Sequence, residues 1–323
     1  MFRKKIFIIF LFLIFISCSN KKSSTVIKLA HSLDVSHPVH KAMVFMSEKV
    51  KEKSGGRMIV DIYPGGQLGN ERELIELLQI GSLAMTKVST APLEGFIPDM
   101  KIFGMPYLFQ NNQHRWNILN GPIGKKLLVS GESYFLKGMC YYDAGSRSFY
   151  TKDRPIKTPS DLKGMKIRVQ KSQTSINMVK SLGGSATPIP WGELYTSLQQ
   201  GVVDGAENNP PSFHLSKHYE VCKFYSLDEH TSIPDVLIMS THVWKSLNQD
   251  EQIWLQSSID ESVIYQRKLW LEATKKALDH IKNAGVEVIY PDKKLFQESV
   301  KRMYDNYKDE SFYKLITKIK NHI

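Results

Sequence analysis

Short apolar strands alternate with amphipathic helices in both halves of this 323-residue chain. In the first half, a buried-strand pattern over Val26–Ala30 precedes a helical apolar stripe over Val39–Val50. In the second half, a strand within Gly164–Gln170 leads into a helix over Ser172–Leu182, and Gly192–Gln200 indicates another helix. This alternation predicts the α/β fold class with mostly parallel sheets.

The chain length and one long helix indicate two lobes. A chain of 323 residues suits two lobes of about 100–200 residues each. Asp250–Asn283 has helical character throughout, with an acidic start and a basic end that favour the helix dipole. Its length of roughly 50 Å exceeds the width of one lobe, so we expect it to cross both. The cleft between such lobes is where ligands of α/β proteins usually bind.

The N-terminus has the pattern of an export signal. The cations Arg3, Lys4 and Lys5 precede Ile6–Ile16, an apolar run of eleven residues. A membrane-spanning helix needs about 20 apolar residues, so residues 1–17 are predicted to be a signal peptide. Ser17-Cys18 follows directly and resembles a bacterial lipobox, in which Cys18 would be acylated after cleavage. An ordinary cleaved signal with an incidental cysteine is the alternative.

An acylated Cys18 would place the mature protein in the periplasm or cell envelope, tethered through a polar linker over residues 18–25. The remaining cysteines, Cys140 and Cys222, lack the spacing of a zinc site. Export permits a disulfide between them, but two buried thiols are the expected state. The sequence predicts neither a metal nor a cofactor.

The basic balance of the chain does not favour nucleic-acid binding. The formal net charge is +11, and removal of a leader with three cations would leave +8. The lysines are scattered, and no basic stripe interleaved with aromatic residues occurs. A basic surface in the cell envelope instead favours solubility or the attraction of anionic solutes.

One long segment resembles a known family. Residues Gly164 to Asn208 read GMKIRVQKSQTSINMVKSLGGSATPIPWGELYTSLQQGVVDGAEN. This run resembles the signature of solute-binding proteins of tripartite ATP-independent periplasmic (TRAP) transporters, the DctP family. The order of the supporting matches also agrees: Gly66-Gln67-Leu68-Gly69 before a Glu-rich helix, Pro106-Tyr107-Leu108, His218-Tyr219-Glu220-Val221 and the final long helix. The resemblance covers nearly the whole mature chain.

The resemblance implies a two-lobed periplasmic-binding-protein fold with a hinge, discontinuous lobes and a long helix spanning both. Lobe one is expected over 26–145 plus 234–273, and lobe two over 146–233 plus 274–323. A protein of this kind closes around a small organic anion and delivers it to a TRAP membrane permease. It acts as a monomer, without a cofactor and without catalysis.

Arg168 carries the clearest chemistry. It lies near the end of a strand between apolar Ile167 and Val169, so an unpaired charge there would be costly. The planar guanidinium binds a carboxylate through two parallel hydrogen bonds. Pairing with a protein carboxylate such as Glu207, or exposure to water, is the alternative. In the family pattern this position resembles the carboxylate-binding arginine.

Three further residues of the expected lobe two have family counterparts. Asn208 follows a strand, and its amide can donate to a carboxylate without adding charge, although a turn role explains an Asn equally well. Asn209 shares that role or shapes the loop. Arg147 resembles a second ligand-contacting arginine, with a surface salt bridge as the alternative.

The remaining candidates form the walls of the predicted cleft. Trp191 resembles an aromatic position whose face suits a sugar ring, or it packs in the core. Glu71 begins a helix that Asn70 and Glu73 indicate, and it either accepts hydrogen bonds from ligand hydroxyls or complements the helix dipole. His31 and Ser89, each near a strand end, are expected at the rim of the cleft.

The ligand class also rests on resemblance. The longer match DGAENNPPSF…KHYEV…YSLDEH, Asp204 to His230, is similar to the branch that binds hexuronates such as glucuronate or galacturonate. A C4-dicarboxylate, a 2-oxo acid or another sugar acid is the alternative.

The sequence does not favour two other classes of protein. A lipid-tethered hydrolase would need a nucleophile elbow, a metal-binding His-Glu-x-x-His motif or paired carboxylates, and the sequence has none at useful spacing. An envelope scaffold or adhesin would not saturate with a small molecule.

Overall fold

Two β-sheets organise the residues that the structure describes, one of five strands and one of six. The structure is a computed structural model and describes residues 24–308 and 310–322. The predicted signal peptide over 1–17, Cys18 and the linker up to residue 23 lie outside the described residues.

The strands are β1 (Thr25–Ala30), β2 (Met58–Tyr63), β3 (Met85–Ser89), β4 (Leu136–Tyr142), β5 (Arg147–Thr151), β6 (Lys166–Val169), β7 (Ser185–Pro188), β8 (Gly205–Asn208), β9 (Phe224–Thr231), β10 (Asp235–Ser240) and β11 (Glu287–Ile289). The helices are α1 (Pro38–Lys53), α2 (Glu71–Gln79), α3 (Thr90–Leu93), α4 (Asn112–Asn120), α5 (Pro122–Val129), α6 (Gln173–Ser181), α7 (Leu194–Gln199), α8 (Pro210–Leu215), α9 (Thr241–Ser246), α10 (Gln249–Asn283), α11 (Lys293–Ser299), α12 (Lys301–Asp305) and α13 (Ser311–Lys320). Short 3-10 helices cover Pro98–Gly104, Glu132–Tyr134, Pro159–Leu162, Trp191–Glu193 and His218–Glu220.

Both sheets are mixed, which corrects the expectation of mostly parallel sheets. The strand order is β2-β1-β3-β10-β4 in the first sheet and β11-β9-β5-β8-β6-β7 in the second. Strand β10 runs antiparallel to both β3 and β4, and β5 runs antiparallel to both β8 and β9. Each reversed strand is the first that the chain forms after it passes from one sheet to the other. The alternation of strands and helices predicted the parallel units but carries no signal for these crossovers.

The first helices follow the sequence pattern closely. In α1 the predicted apolar stripe is buried, from Val39 to Val50. In α2 the side chain of Asn70 accepts hydrogen bonds from the N–H groups of Arg72 and Glu73, and Glu73 accepts one from the Asn70 N–H. This capping box satisfies donors that a helix start would otherwise leave unpaired, so the predicted start is confirmed.

The long helix α10 holds one crossover in place. Gln266 accepts a hydrogen bond from the Asp143 N–H at 2.8 Å and donates one to the Asp143 carbonyl oxygen at 2.8 Å. Four residues earlier, the Ser262 hydroxyl lies 2.6 Å from the Tyr142 hydroxyl. The helix packs on α1 beside the first sheet and on α8 beside the second. The expectation that it contacts both halves of the fold is confirmed.

Within the described residues the chain passes between the sheets three times, the last time through α10, and the first two crossovers run next to each other. The segment between β4 and β5 and the segment between β9 and β10 approach each other where Ser146 Oγ lies 3.0 Å from Ser232 Oγ. The C-terminal helices pack on elements of both halves, with α11 on β9 and α13 on the 3-10 helix Pro98–Gly104. The limits of the two lobes given above remain a prediction.

Cys140 and Cys222 are free thiols and both are buried, as expected. Burial raises the pKa of Cys222 to about 12, so this thiol is a weak nucleophile at neutral pH. Within residues 24–308 and 310–322, no helix is both long and apolar enough to cross a membrane.

Gly205 lets β8 lie against β5. A Cβ added at Gly205 would lie 2.4 Å from the Tyr150 carbonyl oxygen and 2.8 Å from Thr151 Cγ2. We expect Gly205→Ala to lower the free energy of unfolding by about 1–3 kcal/mol, because the strands would have to separate. Chemical denaturation of the variant and the wild type measures this difference.

Gly192→Ala is the matched control, because an added Cβ there meets no atom within 4 Å and the backbone needs no positive φ. The control should change stability by less than about 0.5 kcal/mol. Equal effects at the two glycines would contradict the steric argument.

Candidate functional site

A cavity of about 40 Å³ lies where elements of the two sheets face each other. Six of the eight residues predicted from the sequence line it. The lining residues are Ser32, Leu33, His37, Glu71, Lys87, Ser89, Ala144, Arg147, Gln170, Trp191, Asn208, Asn209, Ser212, Ile233 and Asp235.

The two walls of this cavity are almost in contact. Its volume is far below the roughly 300–1,000 Å³ of typical small-molecule sites. The Ser89 hydroxyl donates to Gln170 Oε1 at 3.2 Å, and Ser212 Oγ lies 3.5 Å from His37 Nε2. Both contacts join residues of the first sheet's half to residues of the second. A ligand the size of a sugar must therefore part the walls to enter.

Arg147 forms a buried ion pair with Glu207 at the floor of the site. Strand β5 carries Arg147 and pairs with β8, which carries Glu207 and Asn208. Arg147 Nη2 lies 2.9 Å from Glu207 Oε1, Nε contacts the other carboxylate oxygen, and Nη1 donates to Asn208 Oδ1 at 2.9 Å. Burial alone would raise the pKa of Glu207, but the charge of Arg147 and the hydrogen bonds lower it to about 2. The ion pair of Arg147 is thus buried. The alternative interpretation of Arg147 from the sequence was a salt bridge at the surface.

His230 and Asp228 extend this ionic group. His230 Nδ1 lies 2.9 Å from Asp228 Oδ2, and Nε2 lies 3.5 Å from Glu207 Oε2, where the attraction is mainly between charges. Burial alone would lower the pKa of His230, but Asp228 and Glu207 raise it to about 9. The imidazole is therefore a cation at neutral pH, and together with Arg147 it balances the two carboxylates, Glu207 and Asp228.

Arg168 is buried and lies beside the cavity. Its side chain is only 2% exposed, and its Nε donates to the Ile189 carbonyl oxygen at 2.8 Å. Its Nη1 has no hydrogen-bond partner among the described residues. Glu207, the protein carboxylate considered as its alternative partner, pairs with Arg147 instead. A buried guanidinium with an unused donor is suited to an anion.

Trp191 lies beside both Arg168 and the cavity. The half-buried indole lines the cavity, and its ring centroid lies 5.8 Å from Arg168 Cζ. His218 packs edge-on against the same ring at 5.2 Å. Burial, together with the charge of Arg168, lowers the pKa of His218 to about 3, so this imidazole is neutral.

Glu71 and Ser89 face the site from the first sheet. The Glu71 Oε1 atom accepts a hydrogen bond from the Ser89 N–H at 2.9 Å and lies 3.6 Å from Lys87 Nζ. Lys87 Nζ also lies 3.2 Å from Asp235 Oδ1. Burial raises the pKa of Glu71, and the charge of Lys87 opposes this shift.

His31 and Asn209 have mainly structural contacts. His31 is not among the lining residues, and its ring nitrogens contact the Leu33 N–H at 3.1 Å and His40 Nδ1 at 3.0 Å. Asn209 lines the cavity, but its Oδ1 caps α8 by accepting from the Ser212 N–H at 2.9 Å. Burial, then the charge of Lys87 and of His40, lowers the pKa of His31 to about 3.

Sequence reasoning missed several lining residues, among them Lys87, Gln170 and Asp235. For each of these three residues, the sequence contains a feature that could have indicated it. Lys87 is a cation inside the otherwise uncharged strand MTKVS, and Asp235 opens the apolar strand DVLIMS. Gln170 lies two positions after Arg168, and residues two apart on an extended chain share a face.

A wider groove of about 1260 Å³ flanks α10. None of the eight predicted residues, all of which the structure describes, line it. Two of its cations are paired, Arg115 with Asp143 at 2.7 Å and Lys293 with Glu229, and the other lining cations are Arg267, Lys268, Lys301 and Lys320. The smaller cavity is therefore the candidate site.

The family model of bacterial extracellular solute-binding proteins, family 7 (DctP), matches residues 29–310. The chain belongs to this family. Its resemblance to TRAP solute-binding proteins is confirmed, and so is the two-lobed α/β fold.

Two solved structures of TRAP periplasmic solute-binding proteins show the likeness in detail. The protein from Bradyrhizobium sp. BTAi1, in complex with α/β-D-galacturonate, is 39% identical with a TM-score of 0.89, over 92% of this chain and 99% of that one. The protein from Pseudomonas putida F1, with bound D-glucuronate, is 34% identical with a TM-score of 0.89, over 92% and 97%.

Another relative is named for a different ligand. The 2,3-diketo-L-gulonate-binding periplasmic protein YiaO of Escherichia coli K12 is 32% identical over 262 residues, which are 81% of this chain and 80% of that protein.

The pKa of His230 predicts how this DctP-family protein responds to pH. An unfolded histidine titrates near pH 6.5, whereas folded His230 titrates at about 9. Because the folded pKa is the higher, the charge stabilises the folded state fully below about pH 6.5, and this contribution is lost as pH rises through about 9. The wild type should therefore exceed His230→Gln in unfolding free energy most strongly at about pH 6. The difference should shrink by a few kcal/mol towards about pH 10.

Denaturant titrations at several pH values measure this difference, and NMR titration of the imidazole checks the pKa without a variant. A stability difference that stays constant across the range, together with an imidazole that titrates near its ordinary value, would show that His230 is not charged.

Proposed function

We propose that this protein captures a hexuronate, such as glucuronate or galacturonate, by closing two lobes around it. The proposed limits of the lobes are those given above. The carboxylate binds Arg168, and the closed protein delivers the sugar acid to a TRAP permease. The observation that carries this proposal is the buried Arg168 guanidinium, with an unpartnered Nη1 beside Trp191. The hexuronates bound to two similar structures support the ligand class.

The side chains that the six-stranded sheet contributes to the site suit a carboxylate. Arg147 is neutralised by Glu207, whereas Arg168 has no protein carboxylate within ion-pair distance among the described residues. Hydrogen bonds to a charged group contribute about 1.5–3 kcal/mol each, and micromolar binding needs roughly 8 kcal/mol. Two bonds from Arg168 and one from Asn208 could supply much of that energy.

The other contacts suit a sugar. The indole face of Trp191 can cover the C–H face of a pyranose ring. Glu71, Lys87, Ser89 and Gln170 offer donors and acceptors for hydroxyl groups. A plain C4-dicarboxylate would leave several of these groups without a partner.

A different sugar acid is the second candidate. The observation that favours it is the similarity to YiaO, which is named for binding a diketo sugar acid. Such a ligand shares the carboxylate and hydroxyl groups that the site requires.

The protein is proposed to act as a monomer in the periplasm, anchored through an acylated Cys18.

Acylation predicts that membrane-extracted protein lacks residues 1–17 and carries lipid on Cys18. Intact-mass measurement tests this, and a Cys18→Ala variant should be released into the soluble fraction. A wild-type protein without added lipid mass would contradict the anchor.

Ligand binding can be measured by thermal unfolding of the chain from Ser19 onward, after refolding to remove bound ligand. Ligand at about a thousand times its Kd should raise stability by about 4 kcal/mol. We expect shifts with glucuronate or galacturonate and none with glucose or galactose. A shift only with succinate or pyruvate would exclude the hexuronate, and no shift with any acid would contradict the proposal.

Arg168 variants test the anchor itself. Arg168→Ala and Arg168→Lys should each weaken hexuronate binding by at least about a hundredfold in calorimetry, because an ammonium cannot reproduce the two-bond contact. Lys166→Gln is the matched control, since Lys166 lies two positions earlier on β6 and is exposed. Unchanged affinity in both Arg168 variants would exclude this arginine as the anchor.

A further inference from the structure

Three charged side chains form one end of the cavity. Lys87 Nζ lies 3.2 Å from Asp235 Oδ1 and 3.6 Å from Glu71 Oε1. All three residues line the cavity, and the Lys87 side chain is only 3% exposed. The pairing of β3 with β10 places Asp235 opposite Ser89, two residues from Lys87 on the same face. We call Glu71, Lys87 and Asp235 the acidic triad.

The acidic triad has more negative than positive groups. It contains two carboxyl groups and one ammonium. His31 and His37 lie nearby but add no positive charge, because burial, followed by the charge of Lys87, lowers the pKa of both imidazoles. On the opposite side of the cavity, Arg168 lies next to the lining residue Trp191 and has an unused donor, and its charge attracts that of Glu71. The excess carboxyl groups thus lie on the side of the first sheet, and the arginine with an unused donor lies on the side of the second.

A ligand that spans this cavity meets a different environment at each end. Its carboxylate belongs at Arg168, and its other end lies against the acidic triad. A hydroxyl group there can accept from Lys87 and donate to Glu71 or Asp235. A second carboxylate there has no hydrogen to donate, and it would add a third acidic group around a single ammonium. Adjacent carboxylates cannot all stay ionised without a large penalty.

From this geometry we infer that the acidic triad determines specificity by admitting sugar acids with one carboxylate and rejecting those with a carboxylate at both ends. This inference rests on the proposed function, because it assumes that the first carboxylate binds at Arg168.

D-Gluconate and D-glucarate provide the sharpest test. These linear acids share their hydroxyl pattern and differ at one end, where a hydroxymethyl group stands in place of a carboxylate. Calorimetry on the wild type should give a Kd at least tenfold lower for gluconate than for glucarate. Equal or tighter binding of glucarate would overturn the inference. This comparison does not depend on whether any variant folds.

Isosteric variants identify which residues of the acidic triad cause the discrimination between gluconate and glucarate. Glu71→Gln and Asp235→Asn remove one negative charge each and keep the shape of the side chain. Each should lower the ratio of the glucarate Kd to the gluconate Kd by at least about fivefold. Glu76→Gln is the matched control, because Glu76 lies on the same helix, is 50% exposed and does not line the cavity. It should leave the ratio unchanged.

The outcomes separate this inference from the proposed function. If glucuronate binds but the variants leave the ratio unchanged, the inference is wrong and the proposed function stands. If neither linear acid binds the wild type, glucarate should still bind the Glu71→Gln or the Asp235→Asn variant. Failure of glucarate to bind either variant would then overturn the inference. If no acid binds any form of the protein, both proposals are wrong.

Discussion

The ion pair between Arg147 and Glu207 determines how the rest of the site is arranged. Both side chains are buried, so each charge depends on the other. The pair uses the carboxylate that Arg168 would otherwise have taken. It also orients Asn208, whose Oδ1 accepts from Arg147. His230 and Asp228 complete the charge balance beneath the pair. One arginine is thereby neutralised within the protein, and the neighbouring Arg168 keeps a donor without a partner among the described residues.

The fold brings these groups together through the same strands that carry the chain between the sheets. Arg147 is the first residue of β5, directly after the first crossover, and Asp235 is the first residue of β10, directly after the second. Both strands therefore begin with a side chain that lines the cavity. The cavity-lining groups are thus next to two of the connections between the two halves, so the distances across the cavity depend on how the halves are placed.

The sequence predicted local structure well and contacts between distant residues less well. The stripe of α1 and the capping box at Asn70 depend on residues three or four positions apart, and both were found from spacing alone. The reversed strands β5 and β10 depend on how the chain returns from one sheet to the other, which no local pattern records. The partner of Arg147 follows from the pairing of β5 with β8, and the sequence offered no means to choose between Arg147 and Arg168 for Glu207. The family resemblance supplied the candidate residues, whereas the place of Lys87 beside Asp235 depends on the pairing of β3 with β10.

The unpartnered donor of Arg168 has a consequence for the protein without ligand. With the walls in contact, this buried N–H lacks any hydrogen bond from the described residues, at a cost of about 1–3 kcal/mol. Parted walls admit water, which relieves that cost. A difference of this size changes the ratio of two conformations by about 5- to 150-fold. Contact between the walls therefore carries a cost in the absence of an anion, and any group that accepts from this N–H removes that cost.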